Sequence, residues 1–169
     1  MLPAEAEIPC AILEDSRRRT KALVANLDAT TLDWTPPGVR NSIGTLLYHI
    51  AATEMEWLCV ELLEGGGFPP AVAGLLPYGV RDQHGSLVIV RGEDAEAHVT
   101  RLDATRRFLL DTIEATDAEA FRRPRATAGG TVTPTWILQH LAQHEAEHRG
   151  QIQLLRAMAA QAASMKPDA

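Results

Sequence analysis

Two histidines set inside the apolar stripe of one helix constrain this chain more than any other feature. The segment Gln139-His140-Leu141-Ala142-Gln143-His144-Glu145-Ala146-Glu147-His148-Arg149-Gly150-Gln151 carries three of the six histidines at a spacing of four. Residues four apart on a helix lie one above the other on the same face. Stepping about 100° per residue from Ile137, the residues Leu141, His144, His148, Ile152 and Leu155 fall within roughly 80° of one another. His144 and His148 therefore sit in the middle of a core-facing stripe, with His140 at its edge. Two neutral imidazoles aimed into a core each need a buried partner. One metal ion suits both, and it calls for a third ligand from another helix.

The rest of the chain offers three further amphipathic segments. The first helix is expected from about Pro9 to Asp28, with Ile12, Leu13, Leu23, Val24 and Leu27 inward. Arg17-Arg18-Arg19 reads as its solvated side. Ser16 and Thr20 interrupt the inner face, and either line a polar pocket or bond back to their own helix. In the connector 30–41, Trp34-Thr35-Pro36-Pro37-Gly38 cannot continue a helix. Ser42 is the expected cap of the second helix, Ile43 to about Glu64, which ends at Gly65-Gly66-Gly67. Its stripe is Ile43, Leu46, Leu47, Ile50, Trp57 and Leu58. His49 lies on the flank of that stripe and Glu54 inside it, where a carboxylate must be paired, hydrogen-bonded or facing an opening.

Residues 65–92 form a long connection holding Pro69, Pro70, Pro77 and the apolar run Leu87–Val90. That length suits a crossover letting helices two and three run parallel. His84, within it, reads as a solvated loop residue. The third helix is expected from about Glu93 to Ala115, with Ala95, Val99, Leu102, Leu109 and Ile113 inward. His98 near that face reads as a hydrogen-bonded core or boundary histidine. A polar loop is expected over 116–130. Thr133-Pro134 then opens a fourth helix reaching about Ala160, and 161–169 is expected to fray. The fold class is all-α: one domain over 1–169, a four-helix bundle with a long crossover between helices two and three.

Net charge narrows the partners. With 16 Lys and Arg against 22 Asp and Glu, the chain carries −6 and lacks the basic surface that nucleic acid requires. No stretch approaches the roughly 18 apolar residues of a membrane span. The acidic start Met1-Leu2-Pro3-Ala4-Glu5 has no apolar run typical of a signal peptide. Cys10 and Cys59 form no metal-type spacing and read as reduced thiols, so a cytoplasmic location is expected.

His49 is the best third ligand, because the second helix can set its flank against the fourth. Three neutral nitrogens leave coordination positions for water or substrate, as in catalytic sites. Zinc, nickel and ferrous iron suit all-imidazole ligation; calcium and magnesium do not. His144-Glu145-Ala146-Glu147-His148 also spells the zinc-peptidase string H-E-x-x-H. That reading fails downstream: position 151 is Gln, and no histidine or glutamate follows His148. Glu145 reads as a solvated flank carboxylate, alternatively one that orients His49 or acts as a base. Gln151 reads as a hydrogen-bonding partner of substrate or, equally, as a packing amide. Arg149 points further out, towards acidic groups of a neighbouring helix or subunit.

Taken together, Trp34-Thr35-Pro36-Pro37, Ser42-Ile43-Gly44 through His49, and His144-Glu145-Ala146-Glu147-His148-Arg149-Gly150-Gln151 resemble the DinB/YfiT-like four-helix-bundle proteins. The resemblance runs from the first helix to Met158. In that family one histidine of the second helix and two of the fourth bind a divalent metal, which implies His49, His144 and His148 here. His140 matches a position often histidine there but not counted among the ligands. The resemblance further implies homodimers and thiol-transferase-like chemistry, in which bacillithiol or mycothiol adds to an electrophile, or mycothiol-dependent maleylpyruvate isomerisation. The expectation is a divalent-metal-dependent enzyme acting on a small-molecule substrate, with a low-molecular-weight thiol. The alternative is a non-catalytic metal-binding or stress-related dimeric bundle.

Overall fold

The structure is a computed structural model, and it describes residues 1–165. Helix α1 spans Ala4–Val24, with Glu5 and Glu7 in the first turn, where the helix dipole favours negative charge. The expected start at Pro9 is corrected, because Pro9 lies inside the helix. Its missing N–H frees the carbonyl of Glu5, an exposed residue whose carbonyl water can reach. The one-turn helix α2 (Ala29–Asp33) follows, its first turn capped by the Asp28 carboxylate. Helix α3 spans Ile43–Glu56, and Ser42 accepts from the Thr45 N–H as expected. It continues as a π-helical segment, Trp57–Leu62.

The long connection contains the single turn α4 (Pro70–Ala73) and one isolated bridge, Arg81 to Leu87. Helix α5 (Ala95–Ala115) is capped by Asp94. The expected polar loop after it is corrected. It holds the short helix α6 (Ala118–Arg122) and begins an antiparallel hairpin of β1 (Arg125–Thr127) and β2 (Gly130–Val132). Helix α7 spans Pro134–Ser164 from a Thr133 cap, so residues 161–164 are helical rather than a tail. Residues 166–169 of that expected tail lie outside the described residues.

The four long helices α1, α3, α5 and α7 pack as a ring: α1 against α7 and α5, α3 against α5 and α7. Gly44 of α3 approaches His98 of α5, and further along Glu54 meets Arg106, so α3 and α5 run parallel across the crossover. Ser16 bonds Arg149 and Leu23 bonds Arg156, so α1 and α7 are parallel too. The crossover is stitched onto α3. Tyr48 Oη donates to the Tyr78 carbonyl at 2.6 Å and accepts from its N–H at 2.8 Å. Thr45 Oγ1 does the same for Val90 at 3.3 and 3.2 Å.

Every residue from Ile43 to Met55 is buried. A helix enclosed on all sides has no wet face, which is why a flank position such as His49 is only 3% exposed. In α1 the buried stripe is Ala6, Cys10, Leu13, Arg17, Thr20 and Val24, with Ser16 beside it. Ile12, expected inward, is 53% exposed. The stripe passes through Arg17 instead, so the solvated reading of that arginine is also corrected.

Arg17 belongs to a buried quartet that takes one charged residue from each long helix. Glu54 of α3 receives Arg17 Nη2 at 2.9 Å and Arg106 Nη2 of α5 at 2.6 Å. Glu145 of α7 receives Arg17 Nε and Arg106 Nη2, both at 3.0 Å. The remaining guanidinium donors reach the Leu102 and Leu13 carbonyls. Burial pushes the Glu145 carboxyl up, but the charges of Arg17 and then Arg106 outweigh it and hold it below the usual value. The quartet is neutral as a whole, and pairing of this kind is what makes buried charge tolerable.

Candidate metal centre

His49 faces inward from α3 at the level where α7 crosses it in the opposite direction. His144 and His148 are one turn apart on α7. His144 Nε2 lies 3.2 Å from His49 Nε2 and 3.1 Å from His148 Nε2. The ligand atoms of these three residues all fall within 4.8 Å of one another. Their rings meet edge to face, with centroids 4.5 to 5.1 Å apart. His144 Nε2 cannot be satisfied by protons against both neighbours, since a ring nitrogen either gives one N–H or accepts one. For Zn–N bonds of about 2.05 Å, tetrahedral geometry sets nitrogens about 3.3 Å apart and a right-angled arrangement about 2.9 Å. Both separations from His144 Nε2 fall between these values, and the donor set suits a divalent metal in its chemistry.

Electrostatics keeps the nitrogens of His49 and His144 free to donate. Burial drives His49 down to about 4, reinforced by the neighbouring His148 and Arg81; a Val80 backbone hydrogen bond opposes it weakly. His144 falls to about 3, again chiefly through burial, with His148, His49, His140 and Arg81 adding to it. Both are neutral at pH 7, the form that binds metal. Arg81 is exposed and comes from the crossover that Tyr48 pins to α3.

Residues around the three rings fix their orientation. Gln151 Oε1 is 2.9 Å from His148 Nδ1; a proton on that nitrogen leaves Nε2 as a lone pair towards His144. Gln151 is itself exposed, so it is neither a buried packing amide nor distant from the site. Thr53, one turn beyond His49, sets its hydroxyl 3.3 Å from Nδ1 of that ring. Sequence reasoning passed over Thr53, although a hydroxyl four residues after an inward histidine was the available signal.

Glu145 is 1% exposed with both oxygens bonded to arginines, which corrects its reading as a solvated carboxylate and leaves it no role as a base or as a partner of His49. Arg149 donates to Ser16 Oγ at 2.7 Å rather than to an acidic group. Thr20 bonds back to the Ser16 carbonyl. His98 is buried beside Arg101 and Glu93, and His84 is exposed in its loop. His140 stays outside the trio and packs against Trp57 and Trp136. Cys10 and Cys59 are buried free thiols, and burial raises both, Cys10 to about 11.

The DinB superfamily sequence pattern matches residues 12–152, which take in α3 and α5 and most of α1 and α7. The chain belongs to the DinB superfamily. The structure is also similar to that of a conserved protein from Enterococcus faecalis, with a TM-score of 0.67 over 89% of this chain and 94% of that one. At 13% identity, that likeness speaks for the shared fold alone. No curated protein matches the chain. No helix among the described residues is long and apolar enough to cross a membrane.

Proposed function

We propose that this DinB-superfamily chain is a divalent-metal-dependent enzyme. His49, His144 and His148 hold a zinc, nickel or ferrous ion and leave coordination positions open to a small-molecule substrate. The observation that carries the reading is the convergence of three imidazoles from two antiparallel helices, with His144 Nε2 3.2 Å from His49 Nε2 and 3.1 Å from His148 Nε2. The group has three members among the described residues, and three protein donors suit an open site where four would suit a closed structural one.

The favoured chemistry is transfer of a low-molecular-weight thiol to an electrophilic carbon. A bound ion would supply the Lewis acidity that lowers the pKa of such a thiol. This chain's residues do the rest. Gln151 fixes the tautomer of His148, Thr53 steadies His49, and the Arg81 charge favours an anionic ligand over a neutral one. The sulfur comes from the cosubstrate, since the raised, buried thiols of Cys10 and Cys59 are poor nucleophiles.

Metal analysis of protein purified without a polyhistidine tag tests the proposal. About one ion per chain is expected, with most of it lost in His49→Ala and in His144→Ala. Wild-type protein that takes up no zinc, nickel or iron overturns the reading. A metal with four protein ligands and no solvent position leaves the ion a purely structural part.

A further inference from the structure

Beside the three-histidine group stands a cluster of rings that the metal reading does not use. Trp136, His140, His144 and His148 follow one another at a spacing of four and climb one side of α7. His140 lies flat on Trp136, with centroids 5.0 Å apart and planes 3° from parallel. Trp57 closes on both from across the helix pair, 4.6 Å from His140 and 5.7 Å from Trp136. His140 is also 6.2 Å from His144, so the cluster is continuous with the trio. Two further features mark it as more than packing. Trp136 is left 45% exposed, a large apolar ring open to solvent next to a polar site. Trp57 is the first residue of the π-helical segment, and such local widening of a helix is frequent at functional sites.

We propose that Trp57, Trp136 and His140 form an aromatic ledge that binds the flat, uncharged aromatic or conjugated part of the substrate, while the substrate's donor atom enters the three-histidine site. The reach fits one small molecule. Two helical turns separate Trp136 from His144, about 12 Å along the axis. Indole faces take an aromatic ring offset-stacked or edge-on, and His140 braces Trp136 from behind without adding charge, since burial keeps its own ring neutral. The ledge therefore selects by shape and polarisability, and the histidines by donor chemistry. Trp136 is a specificity-determining residue in this arrangement, and Trp57, packed against it, extends the same ledge.

The inference rests on the metal reading, and the test separates the two. Untagged protein is loaded with cobalt(II), and thiolate binding is followed through the cobalt–sulfur charge-transfer band with two probes, 4-phenylbutane-1-thiol, whose spacer lets the ring reach Trp136, and butane-1-thiol. Trp136→Ala should weaken 4-phenylbutane-1-thiol about fivefold, as expected for loss of one aromatic contact. It should leave butane-1-thiol and cobalt affinity unchanged, and Trp136→Phe should restore most of the loss. Equal effects on the two thiols, or none on 4-phenylbutane-1-thiol, overturn the ledge and leave the metal site standing. Loss of cobalt from Trp136→Ala overturns it as well, because the ring would then be holding the metal ligands rather than the substrate. Wild-type protein that binds no cobalt removes both readings together.

Discussion

Gly44 has one neighbour that explains it. A Cβ at this position of α3 would meet His98 Nε2 at 3.0 Å and the Leu32 carbonyl at 3.5 Å. His98 cannot swing aside, because it is buried, with Arg101 Nη1 3.1 Å and Glu93 3.6 Å from its Nδ1. Gly44→Ala gains about 1 kcal/mol of helix propensity but incurs overpacking of about 1–3 kcal/mol. A net loss is expected, read as a lower denaturation midpoint with an unchanged m-value. His98 itself carries a pH signature. Burial holds it down to about 4 from 6.5, despite the opposing pull of Glu93. The unfolded chain therefore takes up a proton that the folded chain refuses. The contribution of His98 to stability is complete above pH 6.5 and is lost as pH falls towards about 4. In His98→Asn the slope of stability against pH across that window should be shallower than in the parent; an unchanged slope would show that other groups set it.

At the scale of elements, the charged quartet decides how tightly the four long helices are joined. Glu54→Ala leaves Arg17 and Arg106 short of a buried counter-charge and should cost about 3–5 kcal/mol in chemical denaturation. Replacing all four members by apolar residues of similar volume should cost far less, or even stabilise. The quartet also explains where the sequence misleads. Helix spacing pointed to the right face of α5, and the caps Ser42 and Thr133 lie where their side chains predict. On α7 it centred the stripe on His144 and His148, which are half-buried, whereas the buried face runs through Glu145. In α1 the inner stripe runs through Arg17 and Thr20, and a search for apolar periodicity slid to Ile12. Glu54 was legible as a carboxylate needing a partner; its partners, Arg17 and Arg106, are 37 and 52 residues away in the chain. The β1–β2 hairpin had a local signal, Thr127-Ala128-Gly129-Gly130, with Gly130 at φ 122° where glycine is favoured. That signal was too short to stand out from a polar loop.

For the whole molecule, the parallel pairing of α3 with α5 and the antiparallel crossing of α3 with α7 bring His49 to residues 95 positions later. Spacing along α7 made half of this site readable, and residues alone could only nominate His49 by helix adjacency. The ledge was not readable, because Trp57 and Trp136 come together only once the bundle is closed. A ligand that binds only the folded bundle raises its stability by mass action, about 2.7 kcal/mol at a free concentration of 100 times Kd. Zinc added to metal-free protein should therefore raise Tm by several degrees, and the rise should vanish in His148→Ala. A rise that survives in the variant would place the bound ion elsewhere.

The quartet has a consequence for the history of the chain as well as for its stability. Arg17, Glu54, Arg106 and Glu145 answer to one another across every long helix, so a change at one of them strands an opposite charge with no water to receive it. Surface positions can drift one at a time. These four can depart only in concert, and a descendant that has lost one of the acids should be found to have exchanged an arginine too.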